Sequence, residues 1–292
     1  MKEDHEETRP DDTAAWSAEA QAAAASDEIQ NEAPVEDLNP PPRAKSRAWM
    51  IRLVSMLVVI GAWEVIGRRV SPLFLSYPTA ILRAGIVMTA SGELLEALAS
   101  SLRTLVFGFV IASVAGVLLG LLIGRYRLVD AATDWLVNAL YATPLVAVIP
   151  LVILWFGLGD SAKLFIVTIL AVFPVLINTA AGVRNVPHSL IDVSTAFAAS
   201  ERQVFVKIIL PASVPYMMTG LRLGIGRAII GMVVAEFFTA ITGLGAVIVK
   251  YGNQYDTASM FVPILVLMTL GVILTSLVRR GEEMFAPWRA VD

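Results

Sequence analysis

The chain has 292 residues, of which 57% are hydrophobic and 16% are charged. Soluble domains carry about 45–50% apolar and about 25% charged residues, so this composition predicts a membrane protein. The formal net charge of −3 averages two unlike parts, because residues 1–42 hold twelve acidic and two basic residues, whereas residues 43–292 are net positive. The absence of cysteine excludes disulfides and thiolate metal sites, and two histidines are too few for a histidine-rich metal site.

The acidic N-terminal part, residues 1–45, is rich in Glu, Asp, Ala and Pro. Such a composition buries too little apolar surface to offset the entropy of ordering, so we predict a disordered tail. The tail lacks the basic start and the following apolar run of a secretory signal, which favours a location in the cytosol. A docking tail for a soluble partner is the alternative interpretation.

Six apolar segments follow, each close to the length of a helix that crosses about 30 Å of hydrocarbon at about 1.5 Å per residue. We therefore predict an all-α membrane protein with six transmembrane helices within residues 46–285 and a short cytosolic C-terminus, 286–292. Pro144 and Pro150 are expected to kink the third span, and Pro174 the fourth. The predicted spans are Trp49–Ile66, Leu105–Ile123, Trp135–Gly159, Leu164–Val183, Tyr216–Ile241 and Ala258–Val278.

The basic residues indicate how these spans are oriented. An even number of spans puts both termini on one side, and Lys and Arg are enriched on the cytosolic side. Most basic residues lie before span 1, after spans 2 and 6, and between spans 4 and 5, so both termini are predicted to be cytosolic in an inner or plasma membrane. Residues 78–99 of the first outer loop are predicted to form one or two short amphipathic helices on the outer surface. The first outer loop does not follow the enrichment of basic residues on the cytosolic side, because it contains four arginines, Arg68, Arg69, Arg83 and Arg103.

The segment between spans 4 and 5, residues 187–211, is called the coupling loop below. Pro187 is well placed to open a helix that runs from His188 to Phe197. Ser200 and Gln203 have the spacing of a capping box, which predicts a second short helix that Pro211 should end. Physical reasoning alone does not favour either of two interpretations. The segment is either a compact pair of helices that projects into the cytosol or an ordinary surface loop.

Several stretches resemble known membrane transport proteins. The segment Asp192–Ser200, followed at a fixed distance by Ile209-Leu210-Pro211, resembles the EAA loop of ABC-importer permeases. The stretches 143–157, 173–175 and 220–236 resemble the nitrate, sulfonate and taurine permease family. The resemblance covers about residues 45–285 and implies the type I ABC importer permease fold. It also implies a transmembrane subunit of an ATP-driven importer that moves a small anionic solute inward.

The resemblance implies three kinds of partner: an ABC ATPase subunit, an extracytoplasmic solute-binding protein and a second permease subunit, with a homodimer expected. No nucleic acid is expected among the partners. The residues expected to dock the ATPase are Asp192, Val193, Ser194, Ala198, Ala199, Ser200, Leu210 and Pro211.

Two of these positions depart from the family pattern. Asp192 stands where the family usually has Glu, and Ala198 stands where it usually has Gly. Alanine does not readily adopt a left-handed conformation. We therefore expect the turn between the two coupling helices to use ordinary dihedral angles or to be displaced to residues 199–200.

The chain contains no Gly-x4-Gly-Lys-Ser/Thr phosphate-binding loop, so we predict that it binds no cofactor and is not an enzyme. ATP and Mg are expected on the partner ATPase. A self-contained secondary transporter or channel is the alternative, and it would need intramembrane carboxylates or an internal repeat for ion coupling. A membrane enzyme is a third interpretation, but the sequence offers no defensible nucleophile and base pair and no metal cluster.

Ionisable residues at membrane depth usually face protein or a water-filled cavity. Arg227, Glu236 and Asn178 are therefore predicted to line the substrate pathway. For Arg227 a role as a gate or at a subunit interface is favoured, and attraction of an anionic solute is the alternative hypothesis. Nine residues separate Arg227 from Glu236, so the two side chains point to nearly opposite faces and are not expected to pair.

Glycines at four-residue spacing predict close helix packing on spans 2 and 5. Packing within one subunit is expected, rather than a seam between two subunits. The glycines are Gly116, Gly120 and Gly124 on span 2, and Gly220 and Gly224 on span 5.

Overall fold

The structure is a computed structural model that describes residues 42–285. Residues 1–41 and 286–292, which hold nearly all of the predicted acidic tail and the short C-terminus, lie outside the described residues. All of the regular elements within 42–285 are helical. They are α1 (Pro42–Arg69), α2 (Pro78–Ala90), α3 (Glu93–Arg125), α4 (Arg127–Ala142), α5 (Leu145–Phe156), α6 (Asp160–Arg184), α7 (His188–Ala196), α8 (Glu201–Val204), a π-helical turn (Phe205–Ile209), α9 (Leu210–Thr239), α10 (Leu244–Asn253) and α11 (Thr257–Phe285).

Within residues 42–285, five continuous helices are long and apolar enough to cross a membrane, and α4 with α5 makes a sixth if the pair is counted as one bent span. The two helices of this pair meet at 95°, so the third predicted span is bent sharply near the first of its two prolines. The break lies at Thr143 and Pro144, where Thr143 has extended dihedral angles. The ring of a proline disfavours helical angles in the preceding residue, which explains the break. Pro150 and Pro174 remain inside α5 and α6.

The first predicted outer loop contains one short helix, α2, rather than two. Gly92, with a φ of 82°, ends this segment and precedes α3. The residues expected to form a second short helix are instead the first turns of α3, which begins at Glu93, twelve residues before the predicted start of span 2. Glu93 and Glu96 lie in the first turn of α3, where the helix dipole favours negative charge.

Contacts along the chain divide it into two units, one ending at Ile60 and the other beginning at Gly61, so the boundary falls inside α1. In the second unit, Glu64 accepts hydrogen bonds from the hydroxyl of Thr79 at 2.7 Å and from Nε of Arg68 at 2.7 Å. One of the four arginines of the predicted first outer loop is therefore paired with a carboxylate of its own helix.

Helix α6 is the centre of the second unit. In its most apolar stretch of 18 residues, 56% is buried inside the protein. The corresponding share is 28% or less in the other four single-helix spans of the described chain. Helices α3 and α9 both pack against it closely. A Cβ atom built on Gly120 of α3 would lie 2.6 Å from the carbonyl oxygen of Leu176 and 2.6 Å from Cβ of Thr179. A Cβ atom on Gly220 of α9 would lie 3.1 Å from the carbonyl oxygen of Pro174.

These glycines let the backbones approach, which is the main source of helix association where lipid removes the hydrophobic driving force. The predicted packing within one subunit is confirmed for Gly116, Gly120, Gly124, Gly220 and Gly224.

The substitution Gly120→Ala should destabilise the bundle by about 1–3 kcal/mol, because the added methyl group meets the rigid backbone of α6. Thermal unfolding of the purified chain in detergent measures the effect as a lower midpoint. Gly61→Ala is the matched control, since Gly61 also lies inside a helix but has no atom within 4 Å of the added group. Equal midpoints for the two variants would contradict the close contact of α3 with α6.

Candidate functional site

The coupling loop is seated on the bundle by an apolar cluster. Helix α7 follows Pro187 as predicted, and it ends at Ala196, one residue before the predicted end. Partly buried side chains from the loop, among them Ile191 and Phe205, pack against the buried core of this cluster. The buried core comprises Val183, Val186 and Ile209.

Two ion pairs lie near this apolar cluster. Arg184, at the end of α6, pairs with Asp130 of α4. Arg125, at the end of α3, lies 3.6 Å from Glu201 of α8. The first pair joins α6 to α4 just before the loop begins, and the second joins the loop itself to the end of α3.

One face of α7 is exposed. Asp192 and Val193 are exposed, whereas Ser194 is 5% exposed and its hydroxyl donates to the carbonyl of Ile191 at 2.6 Å. Phe197, which follows α7, is 83% exposed. Sequence reasoning missed Phe197, because a lone aromatic residue at a helix end is usually buried, and only its surroundings reveal that it is not.

The turn after α7 is made at Ala198, which has a φ of 50° in the left-handed region. The expectation of ordinary dihedral angles or of a displaced turn was therefore wrong. The amide of Ala198 donates to the carbonyl of Thr195 at 2.9 Å, and the amide of Ala199 donates to the carbonyl of Ser194 at 3.0 Å. These two bonds are the Schellman pattern, which satisfies the last carbonyls of a helix and offsets the cost of the left-handed alanine.

The second coupling helix begins with the predicted capping box. The amide of Gln203 donates to Oγ of Ser200 at 3.4 Å, and the amide of Ser200 donates to Oε1 of Gln203 at 2.8 Å. This prediction is confirmed, because a capping box depends only on residues three positions apart.

The predicted end of this helix at Pro211 was wrong. Residues Glu201–Thr239 form one continuous 39-residue helical span, with the π-helical turn Phe205–Ile209 just before Leu210 and Pro211. A proline inside a helix clashes with the preceding turn and lacks a donor. A π-helical turn has i→i+5 hydrogen bonds in place of i→i+4 bonds. Here that change falls just before the proline, where the clash and the missing donor would otherwise disturb the helix. Leu210 and Pro211, two of the predicted docking residues, therefore lie in the first turn of a membrane-spanning helix.

The three predicted pathway residues occupy different environments. Arg227 is exposed on α9, whereas Glu236 is fully buried near the end of the same helix. Asn178 on α6 is partly buried and donates to the carbonyl of Pro174 at 2.8 Å, beside Gly220 of α9. The structure does not bring the three side chains into one cluster, and their predicted place in a substrate pathway stays a prediction.

The carboxylate of Glu236 joins three elements. It accepts from the hydroxyl of Ser101 on α3 at 2.7 Å and from the amide of Gly245 on α10 at 2.8 Å. Oγ of Ser101 in turn accepts from the amide of Leu244 at 2.8 Å. Ser101 is fully buried. Sequence reasoning missed Ser101, since a serine 135 positions away offers no local sign of this contact.

Lys163 belongs to the same end of the molecule and is 1% exposed. Its ammonium group donates to Oγ1 of Thr242 at 2.6 Å and to the carbonyl of the same residue at 3.3 Å, and it lies 3.7 Å from Asp160. A charged group buried to this degree must be paired and hydrogen-bonded, and these contacts meet that need.

A cavity of about 470 Å³ opens beside this network and is called the end cavity. Across it, Lys250 donates to Glu93 at 2.6 Å, and this bond raises the pKa of the Lys250 ammonium group above its ordinary value. The first turns of α3 form one wall, and the segment between α9 and α10 forms the other. Its lining includes Glu93, Glu96, Ser100, residues 240–243 and Lys250.

Comparison with known proteins places the chain among membrane transport subunits. Residues 112–282 match the family described as "Binding-protein-dependent transport system inner membrane component". The chain is 33% identical over 250 residues to the putative aliphatic sulfonates transport permease protein SsuC of Bacillus subtilis (strain 168), which covers 85% of this chain and 91% of the relative. It is 34% identical over 181 residues to the nitrate import permease protein NrtB of Leptolyngbya laminosa, covering 62% of this chain and 65% of the relative.

A solved structure described as an amino acid ABC transporter shares the fold. It has a TM-score of 0.51 and 17% sequence identity, and the match covers 70% of this chain and 98% of the solved chain. The predicted resemblance to the nitrate, sulfonate and taurine permeases and the predicted all-α importer-permease fold are confirmed.

The substitution Ala198→Gly should stabilise the chain by about 1 kcal/mol, because glycine adopts a positive φ without the steric cost that alanine bears. A higher midpoint of thermal unfolding in detergent measures the gain. Ala199→Gly is the matched control, and it should leave the midpoint unchanged or lower it, since φ is not positive there. A lower midpoint for Ala198→Gly would contradict the left-handed turn.

Proposed function

Because the chain belongs to the binding-protein-dependent transport system inner membrane component family, we propose that it is the permease subunit of an ATP-driven ABC importer for a small anionic solute. The names of two relatives, a sulfonate permease and a nitrate permease, support this solute class. Family membership favours the importer over the self-contained transporter or channel that composition alone allows. The chain lacks a phosphate-binding loop, so ATP and Mg belong to the partner ATPase.

The observation that carries this proposal is an exposed face on α7 and Phe197 that is followed, after the turn at Ala198, by one continuous helix long enough to span the membrane. Asp192, Val193 and Phe197 present a charge and two apolar side chains to a partner. Closure of the ATPase pair would push on this face. Because Glu201–Thr239 is one helical span, the push reaches Arg227 within the membrane. Such a movement of packed helices would alternate access between the two sides of the membrane.

This function fixes the orientation of the chain. The docking face meets an ATPase in the cytosol, so both termini are cytosolic, in agreement with the distribution of Lys and Arg. The end cavity then opens on the outer side, where a solute-binding protein delivers the solute. A second copy of the chain completes the pathway, as a homodimer with one ATPase for each copy.

Arg227 is the residue of this chain that would attract the anion. It is exposed on a spanning helix, and its side chain has no hydrogen bond or ion pair with the residues that the structure describes. A charge at membrane depth is costly unless it faces water, a ligand or another protein chain. A water-filled pathway between two copies of the permease meets that requirement.

Charge reversal in the coupling loop tests the docking. The variant Asp192→Arg should reduce the ATPase recovered with the purified permease by about tenfold or more, because central interface residues often contribute more than 2 kcal/mol. Glu96→Arg is the matched control, since it reverses an exposed carboxylate at the opposite end of the molecule. Equal recovery of the ATPase with Asp192→Arg and with the unmodified chain would contradict the docking role.

Replacement of Arg227 tests the solute class. In proteoliposomes that hold the complete importer, Arg227→Ala should raise the KM for uptake of a labelled alkanesulfonate by about tenfold, the size expected for a lost hydrogen bond to a charged group. Arg227→Lys keeps the charge and is the matched control. Unchanged uptake by Arg227→Ala at normal assembly would remove Arg227 from the pathway.

A further inference from the structure

Helix α10 is capped by side chains that belong to other helices. Its N-cap residue, Gly243, has no side chain, so the first amides of the helix have no local acceptor. The amide of Leu244 donates to Ser101 of α3, and the amide of Gly245 donates to Glu236 of α9, both at 2.8 Å. The start of α10 is therefore fixed to two spanning helices rather than to its own loop.

The carboxylate of Glu236 is packed tightly against the start of α10. Glu236 and Ser101 are both fully buried. A Cβ atom on Gly243 would lie 2.0 Å from Oε1 of Glu236, and one on Gly245 would lie 2.7 Å from Cβ of Glu236. Gly243 also has a φ of 101°, which side chains rarely allow. Glycine is thus required at both positions for the carboxylate to reach the helix end.

A third helix, α6, also bonds the segment before α10. Lys163 of α6 bonds both the hydroxyl and the carbonyl of Thr242, and it brings a positive charge into the region of the buried Glu236 carboxylate. Residues 240–245 are consequently tied to α3, α6 and α9. Residues 240–243 of this segment supply part of one wall of the end cavity.

We propose that Ser101, Lys163 and Glu236 form a latch that holds residues 240–245 against α3, α6 and α9 and so positions the wall of the end cavity during transport. Glu236 is a positioning residue in this role and does not contact the solute. Because it lies on the same continuous helix as the coupling loop, the wall moves with α9 when the loop moves. The role in transport rests on the proposed importer function, whereas the latch itself is testable on the chain alone.

The natural absence of cysteine makes single-cysteine reporters simple to build. Ala246→Cys places a thiol in the end cavity at a position that is 8% exposed, and Ala180→Cys places one at a 3% exposed position on α6. Each reporter is combined with Ser101→Ala or with the control Ser113→Ala. Ser113 lies on the same helix, and among residues 42–285 its hydroxyl bonds only the carbonyl of Phe109.

Ser101→Ala should raise the rate at which a charged thiol reagent labels Ala246→Cys by about tenfold, because it removes an acceptor and a donor of the latch and favours local opening. Labelling of Ala180→Cys should not change, and Ser113→Ala should change neither rate. Equal labelling of Ala246→Cys in the Ser101→Ala and Ser113→Ala backgrounds would overturn the latch. A rise at both reporters would overturn it as well, since it would show general loosening.

Uptake by the complete importer in proteoliposomes separates positioning from a purely structural role. Ser101→Ala should raise the concentration of solute-loaded binding protein needed for half-maximal uptake by about fivefold with little change in the maximal rate, as expected when a receiving surface loses its fixed shape. A lower maximal rate with unchanged half-saturation would contradict the positioning role. If the unmodified importer shows no ATP-dependent uptake, the proposed function fails, while the labelling experiment still decides the latch.

Discussion

The continuity of the helix Glu201–Thr239 is the constraint on which the functional arrangement depends. It begins in the coupling loop, carries Arg227 in its middle and ends beside the network of Glu236. A rigid helix transmits a displacement along its whole length, whereas a break at Pro211 would separate the loop from the membrane. The π-helical turn before that proline preserves the connection, and such turns occur often at functional sites.

Close packing against α6 keeps the helix Glu201–Thr239 in place. In lipid, apolar side chains gain little by association with each other, so helices associate through tight backbone contact and hydrogen bonds. Glycines of α3 and α9 press against the same stretch of α6, where Gly116 and Gly220 both approach Val175, so these three helices are packed closely together. At the end of α9 that carries Glu236, hydrogen bonds of Ser101, Lys163 and Glu236 join the same three helices to α10 and the segment before it.

Local patterns were sufficient to predict features that depend on neighbouring residues, whereas tertiary context decided the others. The capping box at Ser200 and the apolar spans followed from spacing and length alone. Pro144, which was expected to kink a span, lies at a 95° bend, whereas Pro211, which was expected to end a helix, is accommodated by a π-helical turn. Ala198 adopts a left-handed angle because the bonds of the surrounding turn outweigh its own preference. The partners of Glu236 come from distant parts of the chain, and no pattern in one sequence reveals such pairs.

The distance between two spin labels on the continuous helix tests the central claim most directly. Labels attached to Arg202→Cys and Ile230→Cys, both at exposed positions, report on the helix across Pro211, and dilution with unlabelled chains isolates the distance within one copy. An unbroken helix predicts a narrow distribution of distances between the labels, centred at about 40 Å, because it rises about 1.5 Å for each of the 28 residues. The same distribution should persist when the partner ATPase binds and closes on ATP. A broad distribution, or a distance that changes with the state of the ATPase, would show a hinge at the proline and would contradict the proposed transmission.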